Sequence, residues 1–251
     1  MPFPEDDQLA EVLAAEAGRR LLELRARGGD PESLRHDGDR RSHEFLVAEL
    51  ARLRPGDAVL SEEGDDDQAR LSASRVWIVD PLDGTREFGE PGRTDWAVHV
   101  ALWEAGELTA GAVALPARDL VLSAARPPKS GPEHDGRLRL VVSRTRPPEF
   151  VQRVAELLDA DLVPLGSAGA KAAAVILGEA DAYVHGGGQY EWDSAAPVAV
   201  ARAAGLHASR IDGSKLAYNQ ARPWMPDIVV CHAALADPLL DAISSVQHSQ
   251  E

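Results

Sequence analysis

Val76-Trp77-Ile78-Val79-Asp80-Pro81-Leu82-Asp83-Gly84-Thr85 is the stretch on which the reading of this chain turns. Four apolar β-formers, Val76 to Val79, run straight into two carboxylates, a glycine and a threonine. Such a run reads as a buried strand of a sheet covered on both faces. Pro81 fixes φ and Asp83-Gly84 is a turn pair, so a sharp turn is expected next. Asp80 and Asp83 then share the strand's C-terminal end, where open α/β sheets place their ligands. Hard oxygen ligands held close together suit Mg2+. A helix opening at Gly84-Thr85-Arg86 turns free N–H groups toward the same spot, and such groups hold phosphate. Cation and anion sites side by side point to metal-assisted chemistry on a phosphate ester. The same letters also occur in ordinary turns, where an aspartate before proline is a common starter.

The rest of the chain narrows the choice. Its 251 residues, 44% hydrophobic and 27% charged, suit a soluble globular protein of one large domain or two halves. Cys231 is the single cysteine, which rules out an internal disulfide and a cysteine-rich zinc site. The start, Met1 to Asp7, has neither the basic residues nor the apolar run of a signal peptide, and no stretch is long and apolar enough to span a membrane. A cytoplasmic enzyme is expected. A net charge of −15 argues against a nucleic-acid polymer as partner. Bound Mg2+ reconciles that charge with an anionic substrate, because an ion reverses the local sign of a site.

Read in order, Leu9, Val12, Leu13, Ala17, Leu21 and Leu24 predict a first helix, capped by Asp6 or Asp7 and stopped by Gly28-Gly29. A loop is expected from Pro31 through His36-Asp37-Gly38-Asp39, then a helix starting between Asp39 and Ser42, with Asp39 as a candidate N-cap. Ala58 to Leu60 predicts a short strand delivering Ser61-Glu62-Glu63-Gly64, and Asp65-Asp66-Asp67 reads as an exposed loop. Trp96 to Trp103, Leu108 to Leu115 and Asp119 to Ala125 predict three antiparallel strands. His99, inside the first, reads as a core histidine. Arg126 to Gly136 reads as a linker between an N-terminal α+β half, 1–130, and a C-terminal α/β half, 137–251.

In that second half strands and helices alternate. Gly166-Ser167-Ala168-Gly169-Ala170-Lys171 opens an alanine-rich helix and is a candidate phosphate-binding turn, with a spacing unlike that of a P-loop. Gly186-Gly187-Gly188 reads as a flexible segment after the strand Ala182 to His185, and Asp193 as a candidate N-cap of the next helix. Asp212-Gly213 signals a hairpin, followed by a strand over Ile228 to Cys231 and a helix after Asp237.

Taken together, Glu62-Glu63, Asp80-Pro81-Leu82-Asp83-Gly84-Thr85 and Trp192-Asp193 resemble, in order, the three motifs of the lithium-sensitive, Mg2+-dependent inositol monophosphatase superfamily. The resemblance spans nearly the whole chain and implies a layered α-β-α-β-α sandwich of the sugar-phosphatase type. It implies Glu62, Asp80, Asp83 and Asp193 as side-chain ligands of two or three Mg2+, joined by the Leu82 carbonyl. Asp39, Thr85 and Glu62 are implied in catalysis, Asp39 pairing with Thr85 to activate water. Asp39 is assigned by its spacing to Glu62, because His36-Asp37-Gly38-Asp39 departs from the family's usual pattern there.

Within the superfamily, Thr85-Arg86-Glu87-Phe88, Glu191-Trp192-Asp193, Val142-Ser143-Arg144 and the Gly166 to Lys171 turn are most similar to the bisphosphate nucleotidase branch. That implies hydrolysis of the 3′-phosphate of 3′-phosphoadenosine 5′-phosphate to AMP. Gly84, Thr85, Arg86 and Asp193 are then implied at the scissile phosphate, with Ser143, Arg144, Ser167 and Lys171 on the rest of the nucleotide. Inositol 1-phosphate and fructose 1,6-bisphosphate remain alternative substrates, as does broad specificity. Gly186 stands where inositol phosphatases carry an acid that contacts substrate hydroxyls. Members of the family are often homodimers. A non-catalytic cation-binding protein on the same fold is the contrasting reading, and its mark would be a lost ligand; all four acids are present.

Overall fold

The computed structural model describes residues 5–129 and 136–248. Two antiparallel-packed helices come first, α1 (Asp6–Ala26) and α2 (Pro31–Leu53). A five-stranded sheet follows in the order β1-β2-β3-β4-β5, made of Ala58–Ser61, Arg75–Asp83, Ala97–Glu104, Glu107–Leu115 and Leu120–Ser123. β1 runs parallel to β2, and the other three pairings are antiparallel. Five residues, Thr85–Gly89, form the short helix α3 between β2 and β3.

The second half carries β6 (Arg139–Ser143), α4 (Glu149–Leu157), β7 (Asp161–Leu165), α5 (Ala168–Ile176), β8 (Ala182–Tyr190), α6 (Glu191–Ala203), β9 (His207–Ser209), β10 (Trp224–Cys231) and α7 (Ala236–His248). Its sheet has the order β7-β6-β8-β10-β9, parallel around β6 and antiparallel around β10.

Strand alternation sorts the residues into layers, since successive side chains point to opposite faces. In β2, Trp77 and Val79 pack with α1 and α2, whereas Val76 and Ile78 pack with α5 and α6. The α5/α6 layer lies between the two sheets, and α4 and α7 cover the far face of the second. Five layers result, α-β-α-β-α, as the resemblance implied. The strand over Val76–Val79 is buried on both faces, as its unbroken apolar run predicts. No helix among the described residues is long and apolar enough to cross a membrane.

Local expectations fail at four places. α2 begins eight residues before Asp39, because Asp30 caps it by accepting the Ser33 N–H (2.9 Å) and Pro31 takes its first position. Asp39 is thus mid-helix and caps nothing. Gly38, expected in a loop, lies inside α2; a Cβ there would lie 2.9 Å from both Leu82 and Phe88, so the glycine permits contact between α2 and the β2–α3 turn. In α1, Glu5 rather than Asp6 or Asp7 holds the cap position, and Val12 faces solvent. The three glycines 186–188 lie inside β8. The Asp212-Gly213 turn closes locally through the Gly213 N–H to Arg210 carbonyl bond (3.0 Å), and the returning strand starts only at Trp224. The linker expected over 126–136 has its middle, 130–135, outside the described residues.

Candidate active site

Asp80 points into the middle layer from the end of β2, 1% exposed, and its Oδ1 accepts the Leu82 N–H (3.0 Å). A register shift between Asp80 and Asp83 lets the strand deliver Asp83 as well. Both Asp83 oxygens then receive N–H groups from the start of α5, from Ala168 (3.1 Å) and Gly169 (2.6 Å). Asp83 is the anion at that helix N-terminus, the position where negative charge is stabilised. The phosphate-binding turn expected at Gly166–Lys171 is therefore taken: Ser167 caps the helix on Ala170 (2.8 Å) and Asp83 fills the rest.

His99 is fully buried behind Asp83. Its Nδ1 is 3.0 Å from the Trp192 carbonyl, and its Nε2 lies 3.2 Å from Asp83 Oδ2, a charge contact rather than an aligned hydrogen bond. The histidine is a buried core residue, hydrogen-bonded at Nδ1 and in charge contact with Asp83 at Nε2, and it ties Asp83 to the strand–helix junction that carries Asp193. Asp193 enters from the first turn of α6, where its Oδ2 accepts the Tyr190 N–H (2.6 Å). Tyr190, not Asp193, holds the cap position.

Carboxylate oxygens of Asp80, Asp83 and Asp193 come within 4.8 Å of one another. Burial, then the charges of Glu62 and Asp83, push Asp80 well above the usual carboxylate range. Burial and Asp83 raise Asp193 to about 6. Burial would raise Asp83 too, but His99, Lys171 and the Gly169 N–H outweigh it and hold that carboxyl low. Three hard oxygen donors in mutual repulsion form a set that a small divalent cation fits. Glu62 lies outside this tight trio, at the accessible mouth and within hydrogen-bond reach of Asp80. Surrounding protein, Asp193 and Asp83 push it up to about 8.

Thr85 opens α3 after Gly84, whose φ of 84° and close approach to Ser167, Asp95 and Trp96 leave no room for a side chain. Thr85 Oγ1 lies 3.2 Å from Asp39 Oδ1 and 3.1 Å from the Leu82 carbonyl. Burial and the charge of Glu63 raise Asp39 to about 7. A helix interior thus supplies a poised carboxylate next to a hydroxyl.

A cavity of about 500 Å3 opens from these groups, lined among others by Glu62, Asp83, Gly84, Thr85, Arg86, Ser143, Ser167, Lys171 and Asp193. Two expected contacts are otherwise engaged. Arg144 turns onto Glu87 (2.6 Å) and Glu90 (3.1 Å), because buried Glu87 needs a counter-charge; the arginine that lines the cavity is Arg146. Lys171 is buried, with its ammonium on the carbonyls of Gly166 and Ser167 (2.8 Å to the latter). Burial lowers its pKa. Sequence reasoning missed Arg146, His185, Tyr190 and Trp224. Arg146 sits two residues past a motif match; His185 and Tyr190 flank the glycines 186–188, Trp224 follows a proline, and none carries a local signal.

A sequence model of the inositol monophosphatase family matches residues 6–248. The chain is 53% identical to a Mycobacterium tuberculosis 3′-phosphoadenosine 5′-phosphate phosphatase over 243 residues, covering 91% of this chain and 90% of that one. It is 32% identical to the 3′(2′),5′-bisphosphate nucleotidase CysQ of Escherichia coli, covering 73% and 79%. Among solved structures, CysQ from Bacteroides thetaiotaomicron superposes with a TM-score of 0.77 at 27% identity, covering 91% and 98%. A motif order read from the sequence, a five-layer fold and these likenesses agree: the chain belongs to the inositol monophosphatase family.

Proposed function

We propose that the chain is a Mg2+-dependent phosphatase that removes the 3′-phosphate of 3′-phosphoadenosine 5′-phosphate, giving AMP and inorganic phosphate. The convergence of Asp80, Asp83 and Asp193 at one end of an open cavity is the observation that carries the reading. With Glu62 and the Leu82 carbonyl beside them, these groups would hold two or three ions. Bound Mg2+ supplies charge neutralisation on the phosphate and acidifies the attacking water.

The chain's own residues do the rest. N–H groups of Gly84, Thr85 and Arg86 at the start of α3 orient the phosphate oxygens. When Thr85 donates its proton to Asp39, its Oγ1 lone pair is turned outward to accept a proton from water. Asp39, raised to about 7, is then matched to take that proton at neutral pH. Water oxygen bonds to phosphorus as the bond to the 3′-oxygen breaks, and the 3′-oxygen leaves with the bonding pair and takes a proton from solvent water to become the hydroxyl; Asp39 returns its proton to solvent. Arg146 and Ser143, rather than Arg144, hold the 5′-phosphate. Gly186 supports a nucleotide over inositol phosphate: a Cβ there would lie 2.6 Å from the Phe150 ring, so no acid fits.

Phosphate release from 3′-phosphoadenosine 5′-phosphate, inositol 1-phosphate and fructose 1,6-bisphosphate tests this, with and without lithium. The expected outcome is a lithium-sensitive preference for the nucleotide of at least about tenfold in kcat/KM, ~1.4 kcal/mol in the transition state. A flat profile would replace the reading by a broad phosphatase, and no turnover would return the cation-binding reading.

A further inference from the structure

Tyr190 and Trp224 are the two exposed large aromatics among the described residues, at 46% and 40%. Both line the cavity that holds the acid cluster, whereas the other exposed large hydrophobics (Val12, Leu22, Leu71 and Leu157) do not. They are direct cross-strand partners, Trp224 on β10 opposite Tyr190 on β8, so their side chains leave the same face of the sheet.

Neither ring hangs loose. Tyr190 stacks on Trp192 with centroids 4.6 Å apart and planes 5° from parallel. One face of Tyr190 is therefore covered, and its exposure belongs to the other. Trp224 is seated on Gly188, where a Cβ would lie 2.6–2.9 Å from the indole, and the Arg222 guanidinium stands 5.2 Å from its ring centroid. At the same point the Tyr190 N–H bonds the Asp193 carboxylate, so the aromatic pair is built onto a residue of the acid cluster.

We propose that Tyr190, flanked by Trp224, is the shelf on which the substrate's base stacks. The inference rests on the nucleotide reading above and deepens it to a specificity determinant. A fixed aromatic face stacks any base, because every base presents a π-face, and it gives less to inositol or to a sugar phosphate, which have no π-face. Rings locked before binding lose little freedom on stacking, which favours affinity. The shelf thus selects nucleotides from other phosphate esters while discriminating weakly between adenine and guanine.

Calorimetric titration of the Mg2+-loaded full chain with AMP, GMP and ribose 5-phosphate isolates the base, since the three differ only in what sits on the ribose. AMP and GMP are expected to bind at least tenfold more tightly than ribose 5-phosphate and within threefold of each other. Tyr190→Leu, and independently Trp224→Leu, should bring the ratio of AMP to ribose 5-phosphate below threefold, while Tyr190→Phe should keep it. A ratio unchanged in both leucine variants overturns the proposal, as does AMP binding no better than ribose 5-phosphate in the parent chain. These readouts are binding alone. Failure of the catalytic reading shows instead as turnover that does not favour the nucleotide, so the two failures are told apart.

Discussion

Asp83 has every reason to be ionised, whereas Asp80 beside it has every reason to hold a proton. The difference lies in their neighbours: helix N–H groups and His99 around one, and around the other carboxylates against the single Leu82 N–H. Replacing Asp80 by Asn should lower kcat by at least about a thousandfold, ~4 kcal/mol, because the site loses a cation ligand. The same change should raise the Tm of the metal-free protein at neutral pH, because Asp80 must take up a proton to be buried among those carboxylates and asparagine need not. Near-normal turnover would remove Asp80 from the metal site. The two arginines of the Ser143 segment part in the same way. Arg146→Ala should raise KM for the bisphosphate about tenfold relative to a monophosphate. Arg144→Ala should instead lower Tm, by leaving Glu87 buried and unpaired. Equal shifts of KM in both variants would overturn the division. The acids of the site were legible as motifs, because chemistry restricts which residue types can serve there. Arg144 and Arg146 were not separable, since both are arginines two positions apart and only the position of Glu87 decides which one turns inward.

At the scale of elements, the site is built where strand ends meet helix starts. β2 ends at Asp83, which caps α5; β8 ends at Tyr190, whose N–H is held by Asp193 of α6. Gly38 secures the third junction, between α2 and the β2–α3 turn. Gly38→Ala should place its methyl 2.9 Å from Leu82 and Phe88 and destabilise the fold by roughly 1–3 kcal/mol, despite the better helix propensity of alanine. A thermal melt decides it: a Tm equal to or above the parent's would mean that the turn yields. Because Leu82 shares that turn with Asp83, kcat should fall with Tm. The strands and helices were readable from their apolar periods. The start of α2 was not, because Gly38 has the local mark of a breaker and only the partner it packs against explains it. The glycines of β8 misled for the same reason, being in the strand to admit Phe150 and Trp224.

On the scale of the whole molecule, both halves of the chain bring acids to one place, so folding concentrates like charge. Asp193 is raised to about 6, Asp39 to about 7 and Glu62 to about 8, all above their ordinary values near 4. The folded metal-free protein therefore holds protons that the unfolded chain has already released, and stability falls with rising pH where the native state binds more protons. The penalty is absent below about pH 4, grows between pH 4 and 8, and is complete above the folded values. A divalent cation removes it by supplying the opposite charge, and protons compete with that cation for the same oxygens. Saturating Mg2+ should accordingly raise Tm at both pH 6 and pH 8, by more at pH 8, and the difference should shrink in a variant carrying both Asp80→Asn and Asp193→Asn. Scanning calorimetry of the chelator-treated protein, with and without Mg2+, measures all four values. A Mg2+ shift that is equal at the two pH values, or that survives in the double variant, would place the cation away from these carboxylates and separate the fold's acidity from its chemistry.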